Sequence, residues 1–307
     1  MNDRKVKIRE KIIQLSSPYQ ARFGKLVGRE SEMKKVLAAW MAASIFRPLS
    51  PLLIGGPGIG KNRIVYECAR VTGKELYIFQ GHEDVTAEDL VCAVRFSDDP
   101  AKKMDYIVSP LVTAMLRGGV CFVDEIGKIR PRALAPLASL LDERRYMDSI
   151  LLGERIHAHR GFRFVAATNS DDLDDTPLPD FIRSRLRPVI AVDHPEREEI
   201  EGIIRAHFKI MKDNGVVLLD RFWDLWRQKE SDRPPTPRES IDIFGYAFNL
   251  ADFESVEKKR FCDLDGHPGR FNAIKELHLE KAFDVFQKNG NGKKHDPSTH
   301  IDPLSKQ

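Results

Sequence analysis

The segment Gly55-Gly56-Pro57-Gly58-Ile59-Gly60-Lys61 constrains this chain more than any other. An apolar run, Pro51 to Ile54, comes directly before it, and a helical pattern starts near Asn62. Glycines let a backbone wrap closely around phosphate oxygens. Amide N–H groups and the N-terminus of the helix then face the negative charge. Lys61 reaches the β- and γ-phosphates as a point charge. A strand, a glycine loop and a helix in that order make a phosphate-binding loop. The next position calls for Ser or Thr, whose hydroxyl ligates magnesium. Here it is Asn62, whose amide oxygen is a neutral and longer ligand for a hard cation.

The rest of the first half fits a fold built around such a loop. Pro51 to Ile54, Leu76 to Phe79, Val120 to Val123, Phe162 to Ala167 and Val189 to Val192 are short apolar runs separated by helical patterns. Their continuous apolar character predicts buried strands of a parallel sheet with helices on both faces. Ser109-Pro110 predicts a helix start and Gly118-Gly119 its end. Thr86-Ala87-Glu88-Asp89 resembles a capping box. Arg145 to Arg160 reads as a hairpin whose tip, Ile150-Leu151-Leu152, is apolar; packing of that tip inside the protomer is favoured over a role in gripping a client. Asp171 to Asp175 reads as a solvated acidic loop.

Beyond Asp193-His194-Pro195 no strand pattern recurs. Glu196 to Lys212, Leu218 to Lys229, Pro237 to Phe253 and Phe271 to Lys288 read as helices, with Trp223 and Trp226 spaced for a shared core face. The predicted organisation is an N-terminal helical extension (1–21), an αβα nucleotide-binding domain (22–194), a helical lid (195–288) and a disordered polar tail (289–307).

A second chemical signature lies on the third strand. Val120-Cys121-Phe122-Val123-Asp124-Glu125 is four apolar residues followed by two carboxylates. A central strand of an open sheet delivers its carboxyl end to the ligand crevice. Adjacent side chains there point different ways, so Asp124 can hold a magnesium shell while Glu125 polarises a water.

Composition narrows the function. The 49 basic and 46 acidic residues among 307 leave a formal charge of +3, which excludes a strongly cationic nucleic-acid coat. No apolar run approaches the roughly 18 residues that span a bilayer, and the charged start Met1-Asn2-Asp3-Arg4-Lys5 lacks a secretory pattern. The expectation is a cytoplasmic protein without membrane insertion. Cys68, Cys92, Cys121 and Cys262 have no metal-ligand spacing and read as buried thiols.

Taken together, these motifs resemble those of the AAA+ ATPases. Phe164-Val165-Ala166-Ala167-Thr168-Asn169 looks like the fourth strand of that family, ending in a sensor 1 Asn. Leu178 to Leu186 looks like its arginine-finger segment; Arg185 is the best match, with Arg183 and Arg187 as alternatives. Thr236-Pro237-Arg238-Glu239 resembles sensor 2, and Leu26-Val27-Gly28-Arg29-Glu30 the segment beside the adenine. Ser109 to Ala114, Gly118-Gly119 and Leu137 to Arg145 are similar to the MoxR-type and dynein-related branch.

The resemblance implies a P-loop NTPase αβα sandwich with a five-stranded parallel sheet in the order 5-1-4-3-2, followed by a small all-helical lid. It also implies ATP and Mg2+ as cofactors, and a ring, usually a hexamer. ATP would be held by Gly55 to Asn62 with Val27 and Gly28, and the metal by Asp124 and Asn62. Turnover would fall to Glu125, Asn169, Arg238 and a neighbour's Arg185. The leading reading is an ATPase that remodels or matures a protein client, with an adaptor protein supplying specificity and no nucleic acid as direct ligand. The alternatives are a weakly hydrolysing nucleotide switch or scaffold, owing to Asn62, and a nucleic-acid-linked or defence-system ATPase subunit.

Overall fold

The computed structural model describes residues 5–9, 11–20, 24, 26–41, 47–97, 103–175, 177–208, 215–229, 233–255 and 275–288. In chain order its strands and helices are β1 (Lys5–Ile8), β2 (Lys11–Gln14), α1 (Glu30–Trp40), β3 (Ser50–Ile54), α2 (Lys61–Thr72), β4 (Leu76–Gln80), β5 (Cys92–Phe96), β6 (Met104–Val108), α3 (Pro110–Arg117), β7 (Val120–Asp124), α4 (Leu137–Leu140), β8 (Tyr146–Ser149), β9 (Glu154–His157), β10 (Arg163–Thr168), α5 (Ser170–Asp175), α6 (Asp180–Arg183), β11 (Leu186–Ala191), α7 (Arg197–His207), α8 (Gly215–Lys229), α9 (Pro237–Ser255) and α10 (Glu276–Lys288). They form two compact units, Met1–Glu199 and Ile200–Gln307.

The first unit is built on a five-stranded sheet in the order β11-β3-β10-β7-β4. Every pairing in it is parallel. These are the five apolar runs, in the order 5-1-4-3-2. Alternation along each strand divides the core into two layers. Cys121 and Val123 join one apolar cluster with Leu111, Val112 and Met115 of α3. Val120 and Phe122 join the other with Ile64, Val65 and Cys68 of α2 and with Val36 and Trp40 of α1. The three cysteines among the described residues are buried thiols. Helix α3 starts at Ser109, whose Oγ accepts from the Val112 amide at 3.1 Å. It stops at Gly118 in a left-handed conformation (φ +73°).

Several details differ from the sequence reading. The stretch expected as an N-terminal helical extension contains strands β1 and β2, which pair antiparallel. Lys5, Val6, Lys7 and Ile8 alternate with the period of two that suits a half-buried strand, and Ile13 is fully buried. Strand β2 runs parallel to β6, giving a second sheet in the order β1-β2-β6-β5. Thr86 and Asp89 exchange the bonds of a capping box at 2.9 and 3.2 Å. They close a turn rather than a helix, because buried Leu90 and Val91 feed straight into β5. The acidic stretch after β10 is the short helix α5, with Asp171 and Asp172 in its first turn. Strands β8 and β9 form the expected hairpin. Its tip is divided: Ile150 is 90% exposed and Leu152 is 1% exposed.

The second unit is helical among its described residues. Phe222, Trp223 and Trp226 of α8 pack with Phe244 of α9 and Phe283 of α10. The ends of the predicted helices at Lys212 and Phe271, the predicted tail (289–307) and Cys262 lie outside the described residues.

Candidate nucleotide site

Parallel strands all end on one side of a sheet, and the chemistry-bearing residues collect there. Strand β3 leads into the glycine loop, where Gly58 and Gly60 have φ of +76° and +105°. Only glycine adopts these angles without strain. A Cβ at Gly55 would collide with the Val192 carbonyl. Ile59 is 1% exposed and anchors the loop in the core. Lys61 opens α2 and folds back over the loop. Its Nζ donates to the carbonyls of Gly55 at 2.6 Å and Gly56 at 2.8 Å, and to Asn169 Oδ1 at 2.8 Å.

Asn169 follows β10, the strand between β3 and β7, so topology sets it between the loop and the acidic pair. Its Nδ2 donates to Asp172 at 3.1 Å. Asp124 ends β7. Its Oδ2 accepts from Asn62 Nδ2 at 2.7 Å, and its Oδ1 from the Glu125 amide at 3.0 Å. Burial raises the Asp124 carboxyl above its ordinary value, against the lowering effect of these two bonds. Glu125 leaves the strand in a left-handed conformation (φ +54°). One carboxylate oxygen accepts from Gln80 Nε2 at 2.8 Å, and the other pairs with Lys128 Nζ at 3.0 Å.

The lead-in segment is fastened to the same loop. Gly28 has φ +70°, and Arg29 beyond it is 9% exposed. Arg29 Nη2 donates to the carbonyls of Ile59 at 3.2 Å and Asp193 at 2.8 Å, while Nη1 pairs with Glu32 at 3.2 Å. Arg29 thus ties Val27 and Gly28 to the phosphate loop and to the end of β11.

One sequence-predicted residue, Arg185, stands elsewhere in the first unit, and another, Arg238, belongs to the second unit. Arg185 precedes β11, whose first residues pair with Ser50, whereas the loop follows Ile54. Arg185 and Lys61 therefore lie at opposite ends of neighbouring strands. Arg185 donates to the Phe181 carbonyl at 2.7 Å and pairs with Asp142 at 3.5 Å, and its Nε is buried without a partner. Asp142 also holds Arg144 at 2.7 Å, and the Arg144 bonds keep its carboxyl below the usual range. Arg183 pairs with Asp180 at 2.5 Å. Arg238 is exposed in the first turn of α9, in the second unit. That turn is closed by a capping box: the Thr236 amide donates to Glu239 at 2.8 Å and the Glu239 amide to Thr236 Oγ1 at 3.2 Å.

Sequence reasoning missed Gln80 and Lys128 as partners of the acidic pair, and placed Arg29 and Asp142 only inside longer motifs. Gln80 stands opposite Asp124 only through the β4–β7 register, which no local pattern encodes. Lys128 carried a local signal, three residues after Glu125 in a helical turn.

Comparison with known proteins agrees with this geometry. The AAA domain of the dynein-related subfamily matches residues 50–186. An uncharacterized protein of Staphylococcus saprophyticus is 25% identical over 184 residues, covering 59% of this chain and 70% of that one. An uncharacterized protein of Staphylococcus aureus is 24% identical over the same shares. The Thermotoga maritima RuvB Holliday junction branch migration motor is similar in structure, with a TM-score of 0.53 and 19% identity. That match covers 84% of this chain and 70% of RuvB. A proline-to-glycine mutant of that RuvB gives 0.57 at 20% identity, covering 85% and 71%. The sheet order, the loop and the matched AAA domain together make this chain a P-loop protein of AAA+ fold.

Proposed function

We propose that this chain binds ATP with Mg2+ and hydrolyses it, as a cytoplasmic ring, usually a hexamer, that remodels or matures a protein client delivered by an adaptor. The observation that carries this reading is the meeting of Lys61, Asn62, Asp124, Glu125 and Asn169 at three adjoining strand ends. In the nucleotide-bound state the Lys61 ammonium exchanges its loop carbonyls for phosphate oxygens, and the α2 N-terminus faces the same charge.

The donor set fits a magnesium ion. No group of three or more His, Cys, Asp or Glu that could hold a metal occurs among the described residues. One carboxylate and one amide suit a cation that takes its other ligands from water and phosphate. Asp124 and the Asn62 oxygen would hold it, and when bound it would neutralise charge on the transferring phosphoryl group. The Asn62 nitrogen takes over the hydrogen bond that a Ser or Thr hydroxyl would give Asp124.

Glu125 is the base. It orients and polarises water once it is free of Gln80 and Lys128. Asn169 bridges Lys61 and that water, and Val27 and Gly28 border the adenine. Arg185 acts on the nucleotide of the next subunit, because its own loop lies at the other end of the sheet. Arg238 senses the nucleotide from the helical unit.

Steady-state ATP hydrolysis with Mg2+ across a protein concentration series, with Lys61→Ala as the blank, tests this. Specific activity that rises with concentration is expected. Tight nucleotide binding without turnover at any concentration would replace the enzyme reading with that of a switch.

A further inference from the structure

The opposite end of the five-stranded sheet carries a row of cations that the nucleotide reading does not use. Arg163 is the first residue of β10 and Arg145 the residue before β8. Lys74 lies between α2 and β4, and Arg47 shortly before β3. All four are half-buried. Each is fastened to main-chain oxygen. Arg163 donates to the carbonyls of Trp40 (2.6 Å), Phe162 (2.9 Å) and Arg160 (3.1 Å). Arg145 donates to the same Phe162 carbonyl at 3.2 Å, so two guanidinium groups converge on one oxygen. Arg47 donates to Leu141 at 2.8 Å and Lys74 to Gly118 at 3.1 Å. Strand β7 separates β10 from β4, so the strand that Arg163 opens and the strand that Lys74 precedes lie about 10 Å apart.

Among the described residues none of the four has a carboxylate partner. Glu75, next to Lys74, instead accepts from the Tyr77 hydroxyl at 2.7 Å. Burial, and then the charges of Arg163 and Arg47, push the Arg145 guanidinium below its ordinary value. Burial and Arg163 do the same to Lys74. Half-buried like charges without a counter-ion are costly, and an anion from outside relieves the cost.

We propose that Arg47, Lys74, Arg145 and Arg163 form a docking site for an acidic segment of a partner protein, whose Asp and Glu carboxylates take the remaining guanidinium and ammonium N–H groups. Guanidinium forks match carboxylates bidentately. Carboxylates of alternate residues in an extended segment recur about every 6.5–7 Å, which suits a row of this length. A nucleic-acid strand fits less well. The aromatic rings beside the row, Phe162 and Trp40, are 1% and 3% exposed and offer bases nothing to stack on. The formal charge of +3 also gives the chain little long-range attraction for a polynucleotide. The site is independent of the nucleotide reading.

The test is fluorescence anisotropy of a labelled poly-glutamate peptide titrated with the full chain, at low and high salt, with oligothymidylate as the competing polyanion. Saturable, salt-sensitive binding is expected, weakened at least about tenfold in the Arg145→Gln/Arg163→Gln double variant. Lys74→Gln leaves the Trp40 and Phe162 tethers intact and should weaken binding about threefold. Thermal melting and binding of a fluorescent ATP analogue confirm that the variants stay folded. Binding that survives all these substitutions, or no binding of the peptide at all, overturns the proposal. So does oligothymidylate that outcompetes the peptide and is lost in the same variants, which would make the row a nucleic-acid contact. Loss of ATP-analogue binding in the wild-type chain would strike the nucleotide reading and leave the peptide result standing.

Discussion

At the carboxyl ends of the strands, charges of both signs answer one another. Lys61 donates to Asn169 and to two loop carbonyls, Asn62 holds Asp124, and Gln80 and Lys128 hold Glu125. At the amino ends, Arg47, Lys74, Arg145 and Arg163 donate to carbonyls, Arg145 also lies over the Phe162 ring, and among the described residues none of the four meets a carboxylate. Among the described residues, one sheet thus carries a candidate site whose charges are answered within the chain and a surface whose cations have no carboxylate. The first arrangement suits the proposed hydrolysis, since its groups are already oriented by one another. The second is organised for association, since its cost is relieved when an anion arrives. Arg185 is intermediate: it stands at the amino end of β11, yet it has a carboxylate, Asp142.

That intermediate position gives the sharpest way to break the comparison. If Arg185 completes a neighbour's site, Arg185→Ala should lower ATP turnover by about a thousandfold while each subunit still binds nucleotide. Arg183→Ala, which removes only a partner of Asp180, should leave the rate within about twofold. Glu125→Gln should lower turnover by about 10²–10⁴-fold, also with ATP binding retained. Mixing the two dead variants should restore measurable hydrolysis, because an Arg185→Ala site can then meet an intact Arg185 from a Glu125→Gln subunit. A mixture that stays dead would return Arg185 to the role of a salt-bridge residue within its own chain.

A smaller effect probes the Asn62–Asp124 contact. Thr at position 62 keeps a hydrogen bond to Asp124 and offers the metal a hydroxyl oxygen. Asn62→Thr should raise magnesium-dependent hydrolysis about fivefold, equivalent to about 1 kcal/mol of barrier. An unchanged or lower rate would mean that the amide is no handicap at this position.

The two ends also differ in how far the sequence reveals them. The carboxyl end was legible because its residues sit in contiguous motifs. Gly55 to Asn62 and Val120 to Glu125 are each a strand plus its functional exit, and an apolar run marks each strand. The amino-end row was not legible, because Arg47, Lys74, Arg145 and Arg163 are scattered along the chain and meet only once the strand order is fixed. The hairpin of β1 and β2 was missed for a different reason. Its lysines dilute the apolar signal, and the burial of Ile13 depends on a distant partner, β6. The helical unit lies between these cases. The pairing of Trp223 and Trp226 with one core is readable from their spacing, whereas the Thr236–Glu239 capping box shares its residues with the segment that resembles a sensor motif.

The smallest expected effect tests whether the carboxyl end bears a stability cost for its function. Burial dominates at Asp124 and raises its carboxyl above the ordinary 3.8. A carboxyl whose folded value is raised is penalised for ionising in the fold. The penalty is absent below pH 3.8, grows as pH rises through that value, and is complete above the raised value. Asp124→Asn removes the charge and resembles the protonated form, so without nucleotide it should melt a degree or two higher than the parent at pH 7. The gap should narrow as the pH is lowered toward 4. The same variant should lose magnesium-dependent turnover, since the carboxylate is gone. Equal melting temperatures at pH 7, or a gap independent of pH, would mean that the bonds from Asn62 and the Glu125 amide already offset the burial. The carboxyl end would then carry its charge at no more cost than any exposed pair.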